Sequence, residues 1–224
     1  MTSISRSLRN SLESTVTKAR GIAEAAASEA LTYLGVADVE KPRHLKPEQH
    51  ALRNQLRAHA RQLGDTLEDK VQSTRRLVEE IAYEQWHRIL FTRFLAENDL
   101  LIHPELQDPI SLADCEEIAA EQGKTGWDIA SEYASYMLPQ IFRPDDPALR
   151  ISLSTDRLKQ LEQLVNDLDR QTFLANDSLG WSYQFWQAKR KEEINASGVK
   201  IGADELPAVT QLFTEDYMVE FLLH

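Results

Sequence analysis

The chain has 224 residues, enough for one large domain or two small ones, and its eight glycines and eight prolines are few enough to favour helix over a turn-rich all-β fold. Its 25 basic and 36 acidic residues leave a net charge of −11, which argues against nucleic-acid binding spread over the whole surface. We therefore expect a mainly all-α fold.

The N-terminal segment, residues 1–40, is interpreted as a helix and a linker. Over residues 4–34, small and apolar side chains recur every three or four positions and so share one helical face: Leu8, Leu12, Val16, Ala19, Ala23, Ala26 and Ala30. Gly35 is a typical helix C-cap. The proline-containing stretch 36–46 is interpreted as the linker.

The next segment, residues 41–98, predicts one long helix or a helical hairpin. Apolar residues keep a helical period over most of it. Gly64 is a candidate break in this period, because Asp65 followed by Glu68 resembles a capping box. We therefore expect two helices to meet at Gly64 if the segment is a hairpin.

Positive charge concentrates in the same segment, since residues 41–95 hold 11 basic and 7 acidic residues. Arg53, Arg57 and Arg61 recur every four positions and share a face beside the apolar stripe. Such a face can follow a phosphate backbone, so the three arginines are candidate DNA contacts. A solvated basic face is the alternative.

Residues 99–202 predict a compact region of shorter helices. Ser111 with Asp114 is an N-cap signature that opens a helix over 112–122. Thr125 opens another helix, which ends before Pro139.

Two further helices are expected in this region. The first runs from Ser154 or Thr155 to about Leu168, and the second from Asp177 to about Glu193. A loop from Asn195 to Gly202 follows. The best strand candidate in the chain is the short stretch 148–153.

No catalytic or metal-binding constellation is recognisable. The six histidines form neither an HExxH motif nor a zinc-ligand spacing with the single cysteine, Cys115. Gly123-Lys124-Thr125 lacks the first glycine of a phosphate-binding loop, and we interpret Gly123 as a helix C-cap. We therefore predict no catalytic residue and no metal site within these residues.

Compartment signals point to the cytoplasm. The sequence contains no candidate membrane span and no signal peptide. Cys115 cannot form an internal disulfide, which fits a reducing cytosol. We expect no membrane partner, and we interpret Cys115 as a small core residue.

An aromatic block begins the predicted helix after Asp177. Trp181 and Phe185 are four positions apart, whereas Trp186 points to another face. This pattern indicates either burial between two layers or aromatic rings exposed for a partner. A basic triplet follows, made of Lys189, Arg190 and Lys191. It predicts phosphate contacts or, alternatively, a solvated helix end favoured by the helix dipole.

The run 211–219 (QLFTEDYMV) resembles the motif that precedes the first Rossmann strand in N6-adenine DNA methyltransferases. The resemblance implies that Gln211, Phe213 and Thr214 line the site for S-adenosylmethionine. The family's proline after the threonine is Glu215 here. Residues 203–224 are accordingly expected to begin a methyltransferase domain.

Three longer blocks, 83–94, 137–147 and 177–221, resemble the N-terminal region of PglX-type adenine-specific DNA methyltransferases. These enzymes belong to BREX (phage-growth-limitation) systems and relate to large type II restriction-modification methylases. The resemblance implies a parent enzyme that flips an adenine from double-stranded DNA and methylates its N6 atom. It also implies contact with other defence-system proteins.

The glycine-rich cofactor loop and the catalytic (N/D)PP(Y/F) motif are expected beyond His224. The apolar ending Phe221-Leu222-Leu223 likewise predicts the N-terminal piece of a longer protein. The chain alone is then expected to be inactive and to bind S-adenosylmethionine poorly. The alternative is a free-standing acidic helical scaffold or interaction protein.

Overall fold

The computed structural model describes residues 3–197, without the side chains of 189–190, 193–195 and 197. These residues form nine helices and one two-stranded sheet, in the order α1 (Arg6–Tyr33), α2 (Pro47–Gln62), β1 (Leu67–Glu68), β2 (Val71–Gln72), α3 (Arg75–Glu97), α4 (Leu112–Gln122), α5 (Gly126–Met137), α6 (Pro139–Phe142), α7 (Thr155–Asn166), α8 (Arg170–Leu174) and α9 (Ser178–Ser197). The expected mainly all-α class is confirmed.

Helix α1 follows the small-residue stripe of the sequence. Leu12, Val16 and Ala19 on this stripe are almost completely buried. The helix ends as predicted at Gly35, whose φ is +61°. A side chain there would collide with the ring of Pro42, so the position requires glycine both for its backbone angle and for the close approach of the linker.

Between α2 and α3 the structure departs from the predicted helix-to-helix connection. The break at Gly64 is confirmed, but the capping box at Asp65 and Glu68 is wrong. The Asp65 carboxylate accepts the backbone N–H groups of Arg76 and Leu77, at 3.0 Å each. It therefore caps the start of α3, and Glu68 lies in a β-strand.

The short sheet is an antiparallel hairpin in which Leu67 pairs with Gln72 and Glu68 pairs with Val71. Its two turn residues, Asp69 and Lys70, have φ angles of 48° and 67°. A tight hairpin turn of this twist requires positive φ at both central positions. No glycine marks the turn, which is why the sequence pattern does not predict it.

The strand predicted at 148–153 is wrong. The backbone N–H groups of Leu149 and Arg150 both donate to the Asp146 carbonyl, at 3.0 and 3.1 Å. This turn takes up the donors that a strand would offer to a neighbour. Ala148 and Ile151 are nevertheless buried.

Helices α4 and α5 are the two helices that the sequence predicts for residues 112–138, and they pack against each other. Ser111 with Asp114 forms a capping box at α4, and Thr125 with Asp128 forms one at α5. Gly123 ends α4 in the left-handed conformation with φ 67°. The predicted helix 112–122 is therefore confirmed at both ends.

The later helices lie where the sequence predicts them, but some of their ends differ from the predicted ones. Helix α7 begins at Thr155 as predicted, and the short α8 was not anticipated. The Asp169 carboxylate caps α8 by accepting the N–H of Gln171 at 2.8 Å. Helix α9 extends to Ser197, so the predicted loop begins too early, and its remaining residues lie outside the described part of the chain.

The chain divides into two compact units, residues 1–18 with 166–224 and residues 19–165. The second unit contains two apolar cores. The first gathers α1, α2, α3 and the segment before α7, and includes Leu31, Leu56, Leu77, Ile81 and Ile151. The second gathers the end of α3 with α4, α5 and α6, and includes Leu101, Cys115, Ile129, Ala134 and Phe142.

Candidate functional site

The first of the candidate DNA-contact arginines, Arg53, is buried, with 3% of its surface exposed. Its Nε donates to the Gly35 carbonyl at 2.9 Å, and its Nη2 donates to the Asp38 carbonyl at 2.6 Å. The guanidinium therefore satisfies the backbone of the linker that follows α1. Its burial argues against a phosphate contact by this side chain.

Arg57 lies one turn further along α2 and joins two segments. It donates to the Val36 and Asp38 carbonyls of the linker, and to the Lys70 carbonyl at the hairpin turn at 2.9 Å. Partial burial lowers the pKa of Arg57, and the charges of Arg53 and Arg61 lower it further. The guanidinium still carries its proton at neutral pH.

Arg61 is the exposed member of the row. Its Nη1 donates to Gln72 Oε1 at 3.2 Å. The buried amide of Gln72 in turn donates to the carbonyls of Thr66 and Ser73, at 3.0 Å each. The three arginines therefore share one face of α2, as the spacing predicts, and that face holds the linker and the hairpin. Whether Arg57 and Arg61 also meet DNA stays a prediction.

The aromatic block of α9 lies within the first unit. Trp181 and Trp186 are buried, with 9% and 4% exposed, which supports burial over the alternative of freely exposed rings. Trp181 stacks on Phe185 with ring centres 5.5 Å apart, and the Arg9 guanidinium lies 4.7 Å from the Trp181 ring centre. Asp177 accepts the indole N–H of Trp181 at 3.1 Å.

The remaining candidate residues are only partly described. Lys191 is half-buried in the last turns of α9. The side chains of Lys189 and Arg190 lie outside the described part. The cofactor candidates Gln211, Phe213 and Thr214 also lie outside the described residues.

A cavity of about 700 Å³ lies within residues 19–165, and no sequence motif predicts it. Helices α3, α5 and α7 and the turn after α6 contribute to its lining, which includes Gln85, Arg88, Ile89, Trp127, Leu158 and Glu162. The Glu162 carboxyl has its pKa raised to about 7, mainly by burial and further by the charge of Asp128. The sequence does hold one signal for this site: Glu162 follows Leu158 by one helical turn, so a carboxylate lies on the same side of α7 as an apolar residue.

Two further groups titrate away from their ordinary values. Burial lowers the pKa of His87, whose ring stacks between Tyr83 and Phe91, with ring centres 5.6 and 5.5 Å away. Burial raises the pKa of the Cys115 thiol to about 11. Cys115 is therefore a protonated core thiol at neutral pH and a poor nucleophile.

Within residues 3–197, no group of three or more histidine, cysteine, aspartate and glutamate side chains is placed to hold a metal ion. No helix in the same part of the chain is long and apolar enough to cross a membrane.

Two curated proteins are similar to the chain. Adenine-specific methyltransferase PglX of Lacticaseibacillus casei (strain Zhang) is 24% identical over 187 residues, which covers 66% of this chain and 16% of that protein. Adenine-specific methyltransferase BrxX of Escherichia coli O9:H4 (strain HS) is 28% identical over 91 residues, which covers 39% of this chain and 7% of that protein.

The matched stretches span a small share of the length of both relatives. No family model and no solved structure matches the chain. The resemblance expected from the sequence is confirmed: over part of its length, the chain is similar to adenine-specific methyltransferases of the PglX and BrxX kind.

Proposed function

We propose that this chain is the N-terminal helical part of a site-specific DNA N6-adenine methyltransferase of a bacterial anti-phage system, of the BREX or restriction-modification kind. The observation that carries the proposal is the 24% identity over 187 residues with PglX. The shorter match to BrxX supports it. Because the matches cover 16% and 7% of those proteins, the methyltransferase activity is proposed for a larger protein.

The proposed cofactor is S-adenosylmethionine. The motif resemblance assigns Gln211, Phe213 and Thr214 to one wall of its site. The 224 residues contain neither a glycine-rich cofactor loop nor an (N/D)PP(Y/F) motif, and these supply the other walls and the catalytic groups in the family. The chain alone is therefore proposed to be inactive and to bind the cofactor weakly.

The proposed role of the helical region is to frame the catalytic domain on double-stranded DNA in the cytoplasm. Arg57, Arg61 and the basic end of α9 are the proposed phosphate contacts. The exposure of Arg61 supports its assignment, since a phosphate contact requires an accessible guanidinium. Other proteins of the defence system are the proposed partners.

A methyl-transfer assay tests the proposal. The 224-residue chain and a longer product of the same gene are each incubated with S-adenosylmethionine and duplex DNA, and N6-methyladenine is measured by mass spectrometry. We expect methylation by the longer product alone. The matched control replaces the first residue of its (N/D)PP(Y/F) motif by alanine, which is expected to abolish transfer.

Two results contradict the proposal: a gene that encodes no (N/D)PP(Y/F) motif, and a longer product that methylates no adenine. Light scattering then tests the scaffold alternative, because a stable folded dimer without affinity for DNA is what that function requires.

A further inference from the structure

The cavity between α3, α5 and α7 has no part in the proposed methyl transfer. Its volume of about 700 Å³ is in the range of small-molecule pockets. Its described lining combines the aromatic ring of Trp127 and the aliphatic side chains of Ile89 and Leu158 with the charged groups of Arg88 and Glu162. Such a mixed lining suits a ligand that has an apolar body and a charged end.

Two cations line this cavity, Arg88 and Lys124, and Arg88 is the one without an ion-pair partner in the described part of the chain. Glu84 lies one turn before it on α3, at the spacing where glutamate and arginine commonly pair. Glu84 Oε1 instead bonds to Arg143 Nη2 at 2.6 Å, and Arg143 Nη1 bonds to Asp146 Oδ2 at 2.9 Å. The natural partner of Arg88 is therefore engaged with another arginine.

No hydrogen bond or salt bridge joins Arg88 to any residue in the described part of the chain. Its Nε is fully enclosed and has no acceptor there. Burial lowers the pKa of Arg88, but arginine keeps its proton in proteins. The enclosed Nε is out of reach of a ligand, so an anion in the cavity meets the terminal Nη groups of the guanidinium, to which no described residue is bonded.

The other charged groups of the cavity limit which acceptor fits. Lys124 Nζ is paired with Glu132 Oε1 at 2.7 Å, and the Asp128 carboxylate accepts the backbone N–H of Thr125 at 2.9 Å. Glu162 adds a third carboxyl to this lining. Carboxylates repel every anion, and they repel a dianion about twice as strongly as a monoanion, so a single negative charge is the charge that Arg88 can best hold here.

The apolar part of the lining indicates the body of the ligand. Trp127 contributes a half-buried indole ring to the lining, and aromatic rings pack well against other planar groups. Ser131 and Ser135, on the same helix, supply hydroxyl groups that can donate or accept hydrogen bonds. A planar molecule with polar edges is therefore favoured over an aliphatic chain.

We propose that this cavity binds a small organic ligand with one negative charge, a carboxylate or phosphodiester attached to a planar body, and that Arg88 holds the anionic group. Guanidinium groups match both anions through paired N–H donors. This site does not depend on the methyltransferase proposal.

Two probe pairs test the site on the 224-residue chain. The carboxylate pair is indole-3-acetate with its neutral analogue indole-3-acetamide, and the phosphodiester pair is cyclic AMP with neutral adenosine. Binding is followed by nuclear magnetic resonance of the ¹⁵N-labelled indole groups, where Trp127→Phe assigns the reporter signal. We expect saturable shifts of the Trp127 signal with at least one anion, at a Kd of roughly 0.1–5 mM.

The neutral analogue of that anion is expected to bind at least about ten-fold more weakly. The anion that binds more tightly identifies the ligand class. Shifts that do not saturate by about 10 mM with either anion, or equal binding of anion and analogue, overturn the proposal.

A variant pair assigns the charge to Arg88. Arg88→Met is expected to weaken binding of the anion at least about ten-fold. Arg75→Met is the matched control on the same helix, since Arg75 is exposed, pairs with Glu79 at 3.0 Å and does not line the cavity. Unchanged binding by a folded Arg88→Met variant overturns the assignment. If that variant does not fold, the comparison of anion with neutral analogue on the unaltered chain decides.

Discussion

The backbone N–H of Ile4 donates to Asp177 Oδ1 at 2.8 Å, across 173 positions of sequence. The second oxygen of the same carboxylate accepts the indole N–H of Trp181 at 3.1 Å. Asp177 is 3% exposed, so both donors depend on it rather than on water. This one carboxylate joins the first residues of the described chain to α9.

Replacement of Asp177 by alanine is expected to lower the free energy of unfolding by about 2–4 kcal/mol, because it leaves two donors without an acceptor. Urea unfolding followed by tryptophan fluorescence measures the change. Asp177→Asn is the control, since its single amide oxygen can still accept one of the two N–H groups. A loss of stability no greater for Asp177→Ala than for Asp177→Asn contradicts a joint role of the two carboxylate oxygens.

Arg53 and Arg61 are expected to differ in their effect on stability. Arg53→Met removes the donor to the Gly35 and Asp38 carbonyls, and we expect a loss of about 2–3 kcal/mol. Arg61→Met removes one part-buried hydrogen bond of an otherwise exposed side chain, and we expect a loss below about 1 kcal/mol. Urea unfolding of the two variants measures both values. Equal losses would show that burial of the guanidinium does not determine how much each arginine contributes to the free energy of unfolding.

Arg61 is also the arginine on which DNA binding is best tested. In the longer gene product, Arg61→Gln is expected to weaken duplex binding several-fold and to reduce the salt dependence by about one phosphate contact. Fluorescence anisotropy at several salt concentrations measures both. Glu117→Gln, on the exposed side of α4, is the control. An unchanged affinity and salt slope for Arg61→Gln removes this residue from the proposed DNA contacts.

The close approach of α4 and α5 at Gly126 makes a further prediction. A Cβ atom there would lie 2.6 Å from Glu116 Cγ and 3.1 Å from the Glu116 backbone nitrogen. Gly126→Ala is therefore expected to destabilise the protein by about 1–3 kcal/mol. Gly21→Ala is the matched control, because no atom lies within 4 Å of its added Cβ. In the interior of α1 it should stabilise by about 0.5–1 kcal/mol.

Glu162 predicts a dependence of stability on pH. Burial raises the pKa of Glu162 from 4.5 to about 7 in the folded protein, so the folded state binds this proton more tightly than the unfolded state. The stability that this proton contributes is present below about pH 4.5 and is lost as the pH rises through about 7.

Glu162→Gln keeps a neutral side chain at every pH. It is therefore expected to be more stable than the parent chain at pH 8, by roughly 1–2 kcal/mol, and equally stable near pH 4. Urea unfolding at several pH values measures the difference between the two proteins, which cancels the titration of other groups. A difference that does not change with pH contradicts the raised pKa.

The parts of the fold that the sequence predicts are those that depend on neighbouring residues. The capping boxes at Ser111 and Thr125 use donors and acceptors three positions apart, and the C-cap at Gly35 follows from one backbone angle. The hairpin at Asp69 and Lys70 was missed, because its positive φ angles fall on residues that carry no glycine signal.

In the candidate site, too, only the features that depend on neighbouring residues could be predicted from the sequence. The spacing of Arg53, Arg57 and Arg61 predicts their common face, but the partners of Arg53 lie 15 to 18 positions earlier, so its burial is not evident from local pattern. That Arg88 has no ion-pair partner in the described part of the chain is still harder to predict from the sequence. It depends on Arg143, which pairs with Glu84 from another segment of the chain.

The division of the chain into residues 1–18 with 166–224 and residues 19–165 sets an order of events during synthesis. The unit 19–165 leaves the ribosome with all its own partners and can complete its two cores first. The start of α1 must wait for α9, because its partner Asp177 is made much later. Since the entropy of closing a loop grows only with the logarithm of its length, the main consequence is delay rather than lost stability. During that interval, the first turns of α1 expose an apolar face that a chaperone or a second nascent chain can reach.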